Sequence, residues 1–415
     1  MKLLVVYPYI PYPPDRGAYH RAFQLWRGLA AQHQVDLLAL AERCEGIEFK
    51  PVFEEACRRV EFVPFEHPPW RKLLNGRLSN PLPSTIAHWT IPHLRREIGR
   101  CLEADSYDAI HLGDIVLAQY FLNEHRSIPL VPDRTRVDLQ YQLMERRHMQ
   151  FSFKERLLHV ENLCKLWLYE RKVARRSAFQ VVCGPDDEQF VHRCIARDLP
   201  VEVLPNGVDL DYFNPEALPN ALPEEKPTIL FCGAMDYNPN IDALRWYFAS
   251  MHDLLRRQIP DLRLWIVGKT PVLEVQRYAQ LPNVTVTGAV PDVRPYYRRA
   301  WLQIVPLRIG GGTRLKIVES MAMGTPVVST SIGAQGLHLR HAHDILLADT
   351  AEDFVRETAR AMKQTHLRQH LMRTGLNTVR TRLSWPMLSK QLCRIYSERL
   401  NEKARLHLNL ESRAA

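Results

Sequence analysis

The stretch GGGTRLKIVESMAMGTPVVSTSIGAQGL (310–337) decides how this chain is read. Three consecutive glycines, Gly310, Gly311 and Gly312, let the backbone approach a ligand without side-chain obstruction. An amphipathic helix follows directly, and the unpaired N–H groups and positive dipole at its start attract a phosphate group. Glu319 sits about two turns inside that helix, where an acceptor-only carboxylate can take the vicinal hydroxyls of a ribose. Gly324 and Pro326 stop the helix, and Val327 to Thr330 reads as a buried parallel strand.

The rest of the chain repeats this alternation of apolar strands and amphipathic helices, the pattern of a parallel sheet covered on both faces. Strands are expected at Lys2–Tyr7, Val35–Ala41, Ala109–Leu112, Leu130–Pro132, Phe179–Cys183 and Val201–Pro205. A second series runs through Thr228–Cys232, Leu262–Val267, Val284–Thr287, Leu302–Val305 and Val327–Thr330. The segment 66–90, rich in Pro, Trp and Arg, interrupts the first series where an acceptor would be selected. The chain has 415 residues, enough for two domains that each bury a core. The first is expected over 1–213, completed by a C-terminal helix in 386–415; a Pro-rich linker spans 214–227, and the second domain covers 228–385.

These motifs in this order resemble the family 4 retaining glycosyltransferases, also described as glycosyl transferases group 1. The resemblance rests on PPDRGAYHR around Gly17, PNGVDLDYFNP (205–215), ILFCGAMDYNPN (229–240), LWIVG (264–268), the 310–337 segment and Trp385. It implies the GT-B fold: α/β, two Rossmann-like doubly wound domains facing a cleft. It also implies transfer of a sugar from a nucleoside diphosphate sugar to a hydroxyl of a glycan or polyprenyl-diphosphate-linked acceptor, with retention at the anomeric carbon, in cell-surface polysaccharide synthesis. The departing diphosphate gains charge, so donors and cations aimed at it lower the barrier.

Carried over position by position, the donor site is expected at Gly17, Gly233, Asn238, Arg308, Gly311, Gly312, Thr313, Arg314, Lys316 and Glu319. His111, at a strand end expected to face the cleft, and Glu319 are the catalytic candidates, with Asp114, Asp133, Arg136 and Asp138 on the acceptor side. The family's first acid is replaced by Gly311. Its diphosphate-binding Arg and Lys, which follow the glycine aligned with Gly233, are replaced by Ala234 and Pro239-Asn240, leaving Arg308, Arg314, Lys316 and Lys269 as substitutes. No cofactor or metal is expected. A nucleotide-sugar 2-epimerase and a non-catalytic nucleotide-sugar-binding relative are the alternatives. PYIPYPPDRG (8–17) lacks the dinucleotide fingerprint and disfavours a dehydrogenase.

Fifty-five Lys and Arg against 46 Asp and Glu give a net charge of +9, which favours anionic partners. Zinc-finger, basic-zipper and RNA-recognition signatures are missing, which speaks against nucleic acid. Between Lys154 and Arg176 basic residues alternate with Leu157, Leu158, Leu163, Trp167 and Leu168, an amphipathic helix suited to peripheral contact with an anionic membrane. The apolar runs are strand-sized, and MKLLVVY (1–7) reads as the first strand rather than a signal peptide, so a cytoplasmic chain with reduced cysteines is expected.

Overall fold

The computed structural model describes residues 1–14, 17–67, 80–123, 127–148, 152–310 and 312–414. The chain divides into two compact units, one of 1–204 with 386–415 and the other of 205–385.

In the first unit seven strands form one sheet: β1 (Lys2–Tyr7), β2 (Gln34–Glu42), β3 (Arg59–Phe65), β4 (Ala109–Leu112), β5 (Leu130–Arg134), β6 (Gln180–Val182) and β7 (Val201–Val203). Their order is β3-β2-β1-β4-β5-β6-β7 and every pairing is parallel. Strands β1 and β2 are apolar along nearly their whole length, because helices cover both faces. The order reverses between β1 and β4, which makes the carboxyl ends of those strands the place where a ligand is received in such sheets. Helix α1 (Gly17–Ala30) follows β1, and α2 (Phe153–Arg176) precedes β6. Helix α2 begins with a reciprocal capping box, in which Ser152 and Glu155 satisfy each other's backbone N–H.

The second unit has six parallel strands: β8 (Thr228–Cys232), β9 (Arg263–Val267), β10 (Val284–Val286), β11 (Leu302–Val305), β12 (Val327–Ser329) and β13 (Leu346–Leu347). Their order is β10-β9-β8-β11-β12-β13, so the reversal falls between β8 and β11. The helices that bear on the site are α3 (Asn238–Ser250), α4 (Arg294–Arg299) and α5 (Leu315–Ala322). The C-terminal helix α6 (Trp385–Ala414) returns the chain to the first unit. There Leu388, Leu392 and Tyr396 are buried, and the Ser389 and Cys393 side chains donate to the Gln24 and Gly28 carbonyls of α1.

Two strands escape the apolar-run reading. β3, RVEFVPF, carries Pro64 and only three buried side chains, which an edge strand tolerates and a central one does not. β13 is only two residues long. The first unit also ends earlier than 213. Val208 exchanges backbone hydrogen bonds with Leu383 and Trp385, and the Asn206 backbone N–H donates to Thr313 Oγ1 at 2.7 Å, which ties 205–213 into the second unit. Nor is 214–227 a free linker: the Glu224 carbonyl accepts from Trp301, and its carboxylate binds Arg263 and Arg299. Of the interrupting segment 66–90, residues 68–79 lie outside those described.

Candidate functional site

The second unit gathers its polar groups at the sheet reversal. β8 runs out at Gly233, whose φ of 153° suits glycine. A Cβ there would lie 2.7 Å from Asn240 Nδ2 and 2.8 Å from Lys316 Nζ, so both side chains close directly over the bare backbone. Asn240, in the first turn of α3, donates through Nδ2 to the Ala234 carbonyl at 2.7 Å and accepts from Lys316 Nζ at 2.7 Å. The ammonium also sits 4.8 Å from the centroid of the Phe231 ring. Burial lowers its pKa to about 8.

One helical turn beyond Lys316, Glu319 is half-buried, and its Oε2 accepts from the Tyr297 hydroxyl at 2.9 Å. Burial raises this carboxyl above the usual range, partly offset by the Tyr297 hydrogen bond and the Lys316 charge. Positive and negative groups thus lie one turn apart on α5 beside the side-chain-free Gly233, an arrangement able to hold a diphosphate and a diol at once.

The other expected donor residues are placed differently. Arg308 is engaged by Asp242, with Nη2 to Oδ1 at 2.6 Å and Nε to Oδ2 at 3.0 Å, and lies over Trp246. Arg314 folds back onto the glycine turn, donating to the Gly312 carbonyl and, at 3.3 Å, to that of Ile332. Gly310 has a φ of 156°, which suits glycine, and the Arg314 guanidinium lies against it. Thr313 is buried as the latch for Asn206. Asn238 is the exposed first residue of α3, and Gly311 lies outside the described residues.

In the first unit Gly17 is the exposed first residue of α1. His111 does not open to solvent: it is fully buried within β4, with Nδ1 2.7 Å from the Tyr396 hydroxyl of α6 and Nε2 without a partner. Burial lowers its pKa to about 4, so the ring is neutral at physiological pH. The reason is register: His111 pairs with Val5 and Val131 in the centre of the sheet.

Asp133 departs from its expected place as well. It lies inside β5 as the buried partner of Arg21, with Arg21 Nη2 2.6 Å from Oδ1, and is not presented to an acceptor. Asp114 caps the turn Ile115–Tyr120 by accepting from the Val116 N–H at 3.0 Å. Burial, and then the charge of Asp138, raise its pKa to about 7, the range of an effective general base. Asp138 accepts from Arg136 Nε at 3.0 Å, and Arg136 also lies over the Tyr141 ring. Asp114, Arg136 and Asp138 therefore form one electrostatic group without Asp133.

Asn240, Asp242, Tyr297 and Arg21 are the site and support residues that sequence reading does not single out for these roles. Their partners are 22 to 112 positions away in the chain, so no local pattern announces them. For Asn240 the signal available is its place in DYNPN, where the family carries a lysine.

Comparison with known proteins agrees with this architecture. Residues 226–364 match the family model described as Glycosyl transferases group 1, a span wholly inside the second unit. A phosphatidyl-myo-inositol mannosyltransferase of Mycobacterium tuberculosis is 27% identical over 248 residues, covering 53% of this chain and 63% of the relative. The chain thus spans less than two thirds of that relative's length. Among solved structures, sucrose-phosphate synthase of Thermosynechococcus elongatus superposes with a TM-score of 0.70 at 19% identity, over 96% of this chain and 99% of that one. Anabaena HepE in complex with UDP and glucose gives 0.66 at 15% identity, over 96% and 100%. The two doubly wound parallel units are those of the GT-B fold, and the second unit carries the match to Glycosyl transferases group 1.

Proposed function

We infer that this protein is a retaining glycosyltransferase that moves a sugar from a nucleoside diphosphate sugar to a hydroxyl of a glycan or lipid-linked acceptor, in the synthesis of a cell-surface polysaccharide. The observation that carries the reading is the placement of Lys316 and Glu319, one turn apart at the reversal of the second sheet, beside the side-chain-free Gly233. In this reading Lys316 and the N–H groups at the start of α5 take the donor's diphosphate charge as the glycosidic bond breaks. Glu319 takes the ribose, and no resident cofactor is assigned. Asp114 is the group suited to receive a proton from an acceptor hydroxyl. HepE is solved with UDP, and the mycobacterial relative is named for a lipid-linked acceptor, which supports the donor and acceptor classes.

The test is calorimetric titration with UDP and with GDP. A charge-assisted hydrogen bond is worth about 1.5 to 3 kcal/mol, so Glu319→Ala should weaken binding of the nucleotide by roughly tenfold or more without unfolding the protein. Undiminished affinity would remove the assignment.

The acceptor side extends the reading to an anionic membrane surface. On α2 the exposed apolar side chains Phe153, Leu157, Val160 and Leu168 share a stripe with Lys172 and Arg175, and Lys154 and Arg156 stand exposed beside its start. Lys165 and Arg176 serve the fold instead: Lys165 binds Glu161 and the Asn80 carbonyl, and Arg176 donates to the Phe121 and Ile128 carbonyls. Each cation at such a surface contributes on the order of 1 kcal/mol within a Debye length. Sedimentation with liposomes containing anionic lipid is therefore expected at low salt. It should fall at high salt, and it should fall when Lys154, Arg156, Lys172 and Arg175 are neutralised together. Binding that ignores both changes would point to a soluble acceptor. Among the described residues no helix is long and apolar enough to cross a membrane.

A further inference from the structure

Tyr297, on α4, is fully buried and reaches Glu319 from outside the helix that carries it. Its backbone is tied at the other end, because the Thr325 hydroxyl, in the turn that closes α5, donates to the Tyr297 carbonyl. Its side-chain hydroxyl donates to Glu319 Oε2 at 2.9 Å, with the Cys232 thiol a close neighbour of the phenol. Burial, followed by the neighbouring Cys232 and Glu319, raises the phenol well above its ordinary range, so it keeps its proton and remains a donor. A phenol has one proton to give, and here the carboxylate receives it.

The consequence for Glu319 is orientation. A glutamate on a helix surface is free to turn about its terminal bonds, whereas a carboxylate held through one oxygen has a fixed plane. Among the described residues Glu319 Oε1 accepts no hydrogen bond, so it is the oxygen left to an incoming hydroxyl. Packing alone does not require the Tyr297 oxygen, since the ring is already enclosed, with Phe213 edge-on at 6.3 Å between centroids.

We propose that Tyr297 is a positioning residue for ribose recognition: it fixes the Glu319 carboxylate so that the open oxygen meets the 2′-hydroxyl, and it thereby sets the preference for ribo- over 2′-deoxyribonucleoside diphosphates. The inference rests on the reading of Glu319 as the ribose acceptor. Cys232 backs the phenol from within the sheet, and α4 acts as the rigid mount.

Calorimetric titration of the full chain with UDP, 2′-deoxyUDP, GDP and 2′-deoxyGDP tests it, using the wild type, Tyr297→Phe and Glu319→Gln. The wild type should bind the ribonucleotide roughly tenfold more tightly than its deoxy counterpart, and Glu319→Gln should bring that ratio close to one. Tyr297→Phe should cut the ratio to about threefold or less while the deoxynucleotide affinity stays within about twofold of wild type, because only the interaction with the missing hydroxyl depends on the phenol. A wild-type ratio in Tyr297→Phe, or an equal loss for both nucleotides, would overturn the proposal and leave Tyr297 as a support for α5 alone. A wild-type ratio in Glu319→Gln would instead remove the ribose assignment itself. Should Tyr297→Phe not fold, 3-fluorotyrosine placed at 297, a stronger donor of the same shape, should widen the ratio; an unchanged ratio would overturn the proposal equally.

Discussion

Replacing Lys316 with alanine is expected to weaken nucleoside diphosphate binding by roughly tenfold to a hundredfold and leave affinity for the bare nucleoside unchanged, since a charge-assisted bond to phosphate contributes about 1.5 to 3 kcal/mol. The same residue should make binding depend on pH. The free ammonium titrates near pH 8, depressed by burial, and a bound diphosphate raises that value because it favours the charged form. Binding therefore takes up protons: affinity is fully present well below pH 8 and falls as pH rises through 8 toward 9, by up to about tenfold per unit. Calorimetry between pH 6.5 and pH 9 in buffers of differing ionisation enthalpy measures both the slope and the proton uptake. In Lys316→Ala the slope should vanish. A slope that survives in the variant would assign the diphosphate to another cation, and Arg308 would be next in line despite its bond to Asp242.

The contrast between Lys316 and the two arginines shows what the sequence could and could not reveal. The order of glycine turn, helix and strand is a local pattern, and it correctly indicated α5, β12 and the doubly wound class. Apolar runs likewise marked most strands to within a residue or two, because a strand covered on both faces has little freedom in composition. Charge allocation is not local. Arg314, Arg308 and Lys316 are equivalent as letters, yet one closes its own turn, one is neutralised by an aspartate of α3, and one reaches over Gly233 to Asn240. The same holds for His111, whose place at a short apolar strand suggested an exposed end and whose pairing on both sides puts it in the interior. Tyr297 and Asn240 gain their meaning only when separate helices are packed, which no spacing within either helix encodes.

The largest expected effect on stability comes from Asp133. Arg21 is fully buried, and its guanidinium is satisfied by the Asp133 carboxylate and the Leu204 carbonyl. Removing one partner of such a pair leaves an uncompensated charge in a low-dielectric interior, which costs about 3 to 5 kcal/mol. Asp133→Ala should therefore lower the unfolding free energy of the first unit by that amount, measured by urea denaturation. Arg21→Met with Asp133→Leu should recover much of the loss, because both charges are then gone. If the single alanine variant unfolds at the wild-type midpoint, Asp133 is not the counter-ion of Arg21 in solution. An Asp133 acting on an acceptor would give the opposite signature, lost transfer with unaltered stability.

The first unit is written in two pieces, with residues 205–385 between them. On the ribosome, seven strands of that unit emerge long before Leu388, Leu392 and Tyr396 do. Until those three are translated, the imidazole of His111 has no hydroxyl to meet, and the α1 surface that Ser389 and Cys393 touch stays bare. The second unit, in contrast, is uninterrupted and can close its sheet while its elder neighbour is still waiting. Birth order and assembly order are therefore inverted in this chain, and the half begun first is the half finished last.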